Sequence, residues 1–171
     1  MLISKQYREE QTNLHKTNPN YGVASIGFAP MVGQFIQGLK LTSVLDYGAG
    51  KGNLAQNLKI PAQITEYDPA IPGKSVLPEG KFDLVCCIDV LEHIEPECLF
   101  DVLDSLTSFI GKYAFITVHT GPAKKVLSDG RNAHLIQEKA RWWMPQLCER
   151  MDIQKMNKTA AGFWVLGTPL L

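Results

Sequence analysis

In DYGAGKG an acid is followed by glycines at alternate positions, Asp46, Gly48, Gly50 and Gly52, and the chain then turns near Asn53 into the helix-forming run LAQNLK. Glycine lets a backbone approach a ligand closely, and the free N–H groups that open a helix attract an anion. A carboxylate ahead of such a loop can face a cationic group, so the pattern suits a ligand with an anionic group for the helix start and a cationic one for Asp46. Other glycine loops fit less well. A P-loop needs Gly, four residues and then Gly-Lys-Ser/Thr. Here Gly50-Lys51 is followed by Gly52, and Asp46 stands where the first glycine belongs. A GxGxxG dinucleotide loop has Asn53 at its third glycine, and its pyrophosphate has no use for the acid. Glycines that only tighten a turn leave Asp46 without a purpose.

Asp68 closes the run AQITEYD, and a carboxylate at the carboxyl edge of a strand can accept two vicinal hydroxyls at once. Glu66 is its rival, because alternation puts both on the same side of the strand and only Asp68's place nearer the edge favours it. After FDLVCCI come Asp89, Glu92 and His93, at the i, i+3, i+4 spacing that one helical turn gathers on one face. His119 follows YAFIT and stands where a general base could act, although a structural histidine has the same pattern. His15 carries no pattern. Trp142, Trp143 and Met144 are adjacent on a helix, so at most two share a face, and they read as core.

The elements that position these residues alternate. TSVLDYG, AQITEYD, FDLVCCID and YAFITVH read as buried strands; helices are expected from Asn53, from about Pro96 to Ile110 and through KARWWMPQLCERM. Strands apolar on both faces and separated by helices predict an α/β fold with a mostly parallel sheet covered on both sides. IQKMNK and GFWVLGT leave no room for a helix between them, so a C-terminal antiparallel hairpin is expected. Residues 1–40 are polar, then loop-like at NPNYG, then helical from Pro30; they are expected to be a lid or leading helix rather than a separate unit.

The 171 residues, 45% hydrophobic and 20% charged, fit one globular domain over 1–171 and exclude a disordered tail or a fibre. Seventeen Lys/Arg cancel seventeen Asp/Glu, so the global positive charge of a duplex-gripping protein is missing. The charge is uneven, with nine Lys/Arg against four Asp/Glu in 112–158. Cys86, Cys87, Cys98 and Cys148 form no CxxC pair, which argues against structural zinc. With no apolar N-terminal run and no membrane-length segment, a reduced, cytoplasmic protein is expected.

TSVLDYGAGKGNLAQNL, TEYDPA and KFDLVCCIDVLEHIEP together resemble the successive signatures of class I S-adenosylmethionine (SAM)-dependent methyltransferases, over roughly residues 41–120. The resemblance implies a Rossmann-like sandwich and SAM as cofactor. It assigns Asp46, Tyr47, Gly48, Gly50 and Gly52 to the methionine part, Asp68 to the ribose hydroxyls and Asp89 to the polar position after the next matching strand. Catalytic roles are expected of Asp89, His93 and His119. One departure is plain. The family places a helix and a strand between the ribose acid and the FDLV strand, but only fourteen residues, 69–82, separate Asp68 from Asp83. The expectation is a shortened adenine side, with PAIPG replacing the helix, a three-residue remnant of the strand before FDLV, and backbone groups with Val76 or Leu77 at the base.

DVLEH also resembles the E-x-x-E-H run of small-RNA 3′-end 2′-O-methyltransferases, in which a distant His completes a divalent-metal site. That resemblance implies a site of Asp89, Glu92, His93 and His134 for Mg or Mn, able to acidify a hydroxyl. Alternatively Glu92 and His93 only hydrogen-bond across a turn. The expected function is methyl transfer to an oxygen or nitrogen of a small-molecule or polymer-end acceptor. Two alternatives are a metal-assisted 2′-O-methyltransferase on a nucleic acid end, which the neutral charge disfavours, and a SAM-binding protein without catalytic activity. The mouth is expected between residues 1–40 and the 121–137 loop, where Lys124, Lys125 and Arg131 face only Asp129.

Overall fold

In the computed structural model, which describes residues 1–170, the apolar runs form one six-stranded sheet. Its strands are β1 (Ser43–Tyr47), β2 (Gln63–Tyr67), β3 (Phe82–Ile88), β4 (Ile110–His119), β5 (Met151–Lys158) and β6 (Gly162–Pro169), in the order β2-β1-β3-β4-β6-β5. β2, β1, β3 and β4 are parallel neighbours, and β6 runs antiparallel to both β4 and β5. The expected hairpin is present, with β6 inside the sheet and β5 at its edge.

Alternation along the parallel strands divides the core. Val44, Leu84 and Phe115 pack with Val32, Ile36 and Leu54 of α2 (Ala24–Gly38) and α3 (Asn53–Asn57). Leu45, Val85 and Ile116 pack with Leu103, Trp143 and Leu147 of α4 (Leu99–Ser108) and α5 (Ala140–Cys148) on the other face. Burying each such side chain contributes about 1.5–3 kcal/mol, so these two layers hold the sheet that carries the site. Cys86 and Cys87 fill opposite faces, and Trp143 is wholly buried.

Four features depart from the sequence expectation. The polar N-terminal segment forms α1 (Lys5–Thr17), capped by Ser4, whose hydroxyl accepts from the Tyr7 N–H at 3.1 Å; only a narrow stripe with Tyr7 and Gln11 is buried. α2 starts at Ala24 and contains Pro30. No strand forms between β2 and β3 among the described residues, so β2 is the sheet's edge. Pro69, Pro72 and Pro78 withhold donors there, and Gly73 and Gly80 adopt φ of +85° and +83°, which breaks any extended run. Finally, Leu91–His93 is a single 3-10 turn preceded by Asp89 at φ +55°, not an α-helical turn.

Parallel register brings the carboxyl ends of β1, β2, β3 and β4 to one edge, with Tyr47 level with Tyr67 and Ile88 with Thr117. A third small cluster, Tyr7, Leu127 and Ala133 with Ile3 and Leu14, ties α1 to the segment before α5 above that edge.

Candidate active site

A cavity of about 580 Å³ lies at this edge, reached at one end by Asp46, Gly48, Gly50 and Asp68 and at the other by Asp89, His93, His119 and His134. His15 also lines it, so all four histidines of the chain, from four distant positions, meet in one place.

At the loop end, Gly48 has φ +85° and a Cβ there would stand 2.4 Å from Val90 Cγ2. Gly52, at φ +81°, caps α3 and has Glu66 Oε1 2.3 Å from its Cβ position; it serves the turn and does not line the cavity. Asp46 is buried, and its Oδ2 has no partner. Burial first, then the neighbouring Glu66, pushes its carboxyl up to about 7, against the pull of Lys74. Such a group is completed by a cation, which fits the ammonium expected there.

Glu66 and Asp68 differ in their partners. Glu66 pairs with Lys74 at 3.1 Å, and Lys74 Nζ donates to the Gly50 carbonyl at 3.0 Å, which places Glu66 beneath the glycine loop and outside the cavity. Asp68 lines the cavity and accepts from the Gly50 and Ala70 N–H groups, each at 2.9 Å. A carboxylate has about four acceptor positions, so two remain for hydroxyls. Tyr47 points to the opposite face, donating to Ser105 at 3.1 Å, and is not among the lining residues of the main cavity. Val76 and Leu77 are 84% and 41% exposed and do not line it either.

At the other end, the Asp89 N–H donates to Thr117 Oγ1 at 3.0 Å. Glu92 is fully buried; its Oε1 accepts from the His119 N–H at 2.8 Å and its Oε2 has no partner. Burial first, then the Asp89 carboxylate, raises the Glu92 carboxyl well above the ordinary carboxylate range. His93 Nδ1 lies 2.8 Å from the Ala133 carbonyl and His134 Nδ1 2.7 Å from that of Gly121. A carbonyl only accepts, so each Nδ1 carries the hydrogen and each Nε2 is bare. Burial, then the neighbouring His134, lowers His93 to about 3, and burial also lowers His134.

Glu92, His93 and His134 offer ligand atoms within 4.8 Å of one another. Asp89 does not join them, contrary to the four-residue expectation, because its left-handed backbone and the 3-10 turn replace the α-turn on which that convergence depends. Two bare imidazole nitrogens, each oriented by a backbone carbonyl, and a buried carboxylate with an orphaned oxygen fit a divalent cation. His119 stands beside them, its ring centroid 4.7 Å from that of His134.

The sequence carried no signal for His15. Its ring packs edge-on to Tyr21 at 4.8 Å, and Cε1 lies 3.0 Å from where a Gly50 Cβ would be. Nor did it show the use of Lys51, whose Nζ donates to the carbonyls of Asn18, Pro19 and Tyr21 at 2.6, 3.0 and 3.4 Å, fastening the loop after α1 to the glycine turn. Lys124 and Lys125 line the mouth, whereas Arg131 is paired with Asp129 at 2.7 Å and lies outside it.

The sequence pattern of a methyltransferase domain family matches residues 14–162. The chain belongs to the class I SAM-dependent methyltransferases. No curated protein matches this methyltransferase in sequence. Its fold is that of the 1,6-didemethyltoxoflavin-N1-methyltransferase of Burkholderia thailandensis, solved with 1,6-didemethyltoxoflavin and S-adenosylhomocysteine (TM-score 0.70, 14% identity, 96% of this chain and 88% of that one). The N-methyltransferase NodS of Bradyrhizobium japonicum WM9, solved with S-adenosylhomocysteine, is similar at TM-score 0.65 and 10% identity over 96% and 99% of the two chains. So is the magnesium protoporphyrin IX methyltransferase of Synechocystis PCC 6803, at 0.63 and 18% over 86% and 84%. Among the described residues no helix is long and apolar enough to cross a membrane.

Proposed function

We propose that this methyltransferase transfers the methyl group of SAM to an oxygen or nitrogen of a small-molecule or polymer-end acceptor. The observation that carries this is the shared cavity, with the cation-seeking Asp46 at one end and bare imidazole nitrogens at the other. SAM supplies a sulfonium-bound methyl that a nucleophile displaces directly, so the protein's work is alignment and exclusion of water. Asp46 and the glycine loop hold the amino-acid part, and Asp68 holds the ribose hydroxyls. His134 and His119 accept the acceptor's proton; His93, lowered to about 3, is too weak a base for that and packs edge-on against His134. The three buried free cysteines agree with a reduced, cytoplasmic setting. Turnover of SAM to S-adenosylhomocysteine across a pool of phenols, amines, nucleotides and short RNAs tests the proposal, and no turnover with any class refutes it.

The Glu92, His93 and His134 cluster favours a second form, in which these residues would hold Mg or Mn, an ion that would lower the pKa of an acceptor hydroxyl when bound. Manganese binding followed by electron paramagnetic resonance should be present in the unaltered chain and lost in His134→Ala. Methyl transfer that survives chelation unchanged would reject this form and leave the imidazoles as bases.

A further inference from the structure

We infer that the adenine base of SAM occupies a narrow apolar slot of about 80 Å³ behind Asp68, walled by Leu2, Ile3 and Tyr7 of the chain's own N-terminal segment. The inference rests on the methyl-donor proposal above and adds where the donor's base goes.

Connectivity sets the direction. If Asp68 holds the ribose hydroxyls, the base is one bond from the sugar, while the amino-acid part extends to Asp46 and the sulfonium faces Asp89. The slot shares Gln11, His15, Gly48, Asp68, Val90 and His93 with the main cavity, so the two spaces are continuous and the slot is open to a base attached to a sugar at Asp68. Beyond the shared residues its walls include Ala70, Ile94 and Val102, all apolar. By this measure of volume a water needs about 10–15 Å³, so the slot has room for a flat group of several heavy atoms.

The segment after β2 offers no enclosure for a base. β2 is the sheet's edge, and Val76 and Leu77 face solvent. The N-terminal wall, by contrast, is tied down on both sides of the slot. Ser4 donates to Glu95 through its N–H at 2.8 Å and its hydroxyl at 2.6 Å, and Tyr7 donates to the His93 carbonyl at 2.6 Å, fixing one side to the loops after β3. Thr12 donates to the Ala70 carbonyl at 2.8 Å, fixing the other side to the turn after β2. The Tyr7 hydroxyl also accepts from Gln11 at 2.6 Å, so Tyr7 presents its ring rather than a free polar group. Asp68 is the one acid lining the slot, and the two acceptor positions left after its backbone contacts are those the ribose hydroxyls take. Shape therefore recognises the base, and no carboxylate is spent on its amino group.

The six-membered ring of adenine lies farthest from the ribose and so meets Leu2 and Ile3, which line the slot but not the main cavity. A bulky group on N6 would collide with them. Calorimetry with S-adenosylhomocysteine and its N6-benzyl analogue tests this on the full chain. The unaltered protein should prefer S-adenosylhomocysteine by about tenfold or more, and Leu2→Ala combined with Ile3→Ala should reduce that preference to about threefold or less. If the double variant does not fold, Ile3→Ala alone is read the same way and should narrow the preference part-way. An unaltered protein that binds both compounds equally, or a preference unchanged in the variants, overturns the inference while leaving the donor proposal standing. An unaltered protein that binds neither overturns both.

Discussion

Asp46 is a buried acid whose surroundings resist its ionisation, and that sets its pH behaviour. Its carboxyl is raised to about 7 by burial first and Glu66 second. In the unfolded chain an Asp titrates near about 3.9. A folded-state value above the unfolded one means that stability is lost as pH rises between these two values and is level above the higher. The melting-temperature advantage of Asp46→Asn over the unaltered chain should therefore grow from about pH 4 to pH 7 and then stay constant. An ammonium beside Asp46 favours the carboxylate, so donor binding expels a proton. Affinity for S-adenosylhomocysteine should rise with pH up to about 7 and flatten above it, and Asp46→Asn should abolish the slope. A slope that persists in Asp46→Asn would move the ammonium elsewhere. Asp68→Ala should weaken the same ligand by about 1–3 kcal/mol, the scale of hydrogen bonds to a charged group. Equal calorimetric affinities for variant and unaltered chain would remove Asp68 from the ribose.

Among the elements, the strand-to-helix turn after β1 is where backbone shape matters most. Gly48 and Gly73 share φ +85°, but a Cβ on Gly48 would strike Val90 while one on Gly73 meets nothing within 4 Å. Gly73→Ala should cost only the left-handed strain, about 1–2 kcal/mol. Gly48→Ala adds a steric clash and should approach about 3 kcal/mol, the upper end of ordinary substitutions. Urea unfolding separates the two, and similar midpoints would mean that Val90 yields freely. The 3-10 turn at Leu91–His93 matters in a different way: it turns Glu92 inward, to the His119 N–H, and so brings the loop after β3 and the end of β4 into one site.

For the whole molecule, net charge is zero, yet the mouth of the cavity is positive, with Lys124 and Lys125 on its rim. A phosphate-bearing acceptor would be drawn there over a neutral one. Reversing both charges, Lys124→Glu with Lys125→Glu, should raise the KM for such an acceptor and leave donor affinity unchanged. The effect should fade toward 1 M salt, where the screening length is about 3 Å. A KM indifferent to the reversal at low salt would point to an uncharged acceptor such as a phenol.

The strand-to-helix order, the glycine loop with Asp46, the hairpin and the closeness of Glu92 to His93 were all legible in sequence, because each depends on residues a few positions apart whose periodicity or spacing is itself the physical constraint. The choice between Glu66 and Asp68 was not, because alternation treats them alike and only Lys74, folded back onto Gly50, separates them. α1 was missed because its apolar stripe is narrow and its helix is held by long-range bonds, from Ser4 to Glu95 and from Thr12 to Ala70. The strand remnant expected before β3 does not form, since prolines and left-handed glycines outweigh the apolar pair Val76-Leu77. His134 could be matched to a family pattern, but only the parallel register, which brings the ends of β1–β4 to one edge, and the packing of α1 over it place His15, His93, His119 and His134 around one cavity. Periodicity is a local property of the chain, whereas a site assembled from four distant segments depends on how the layers pack.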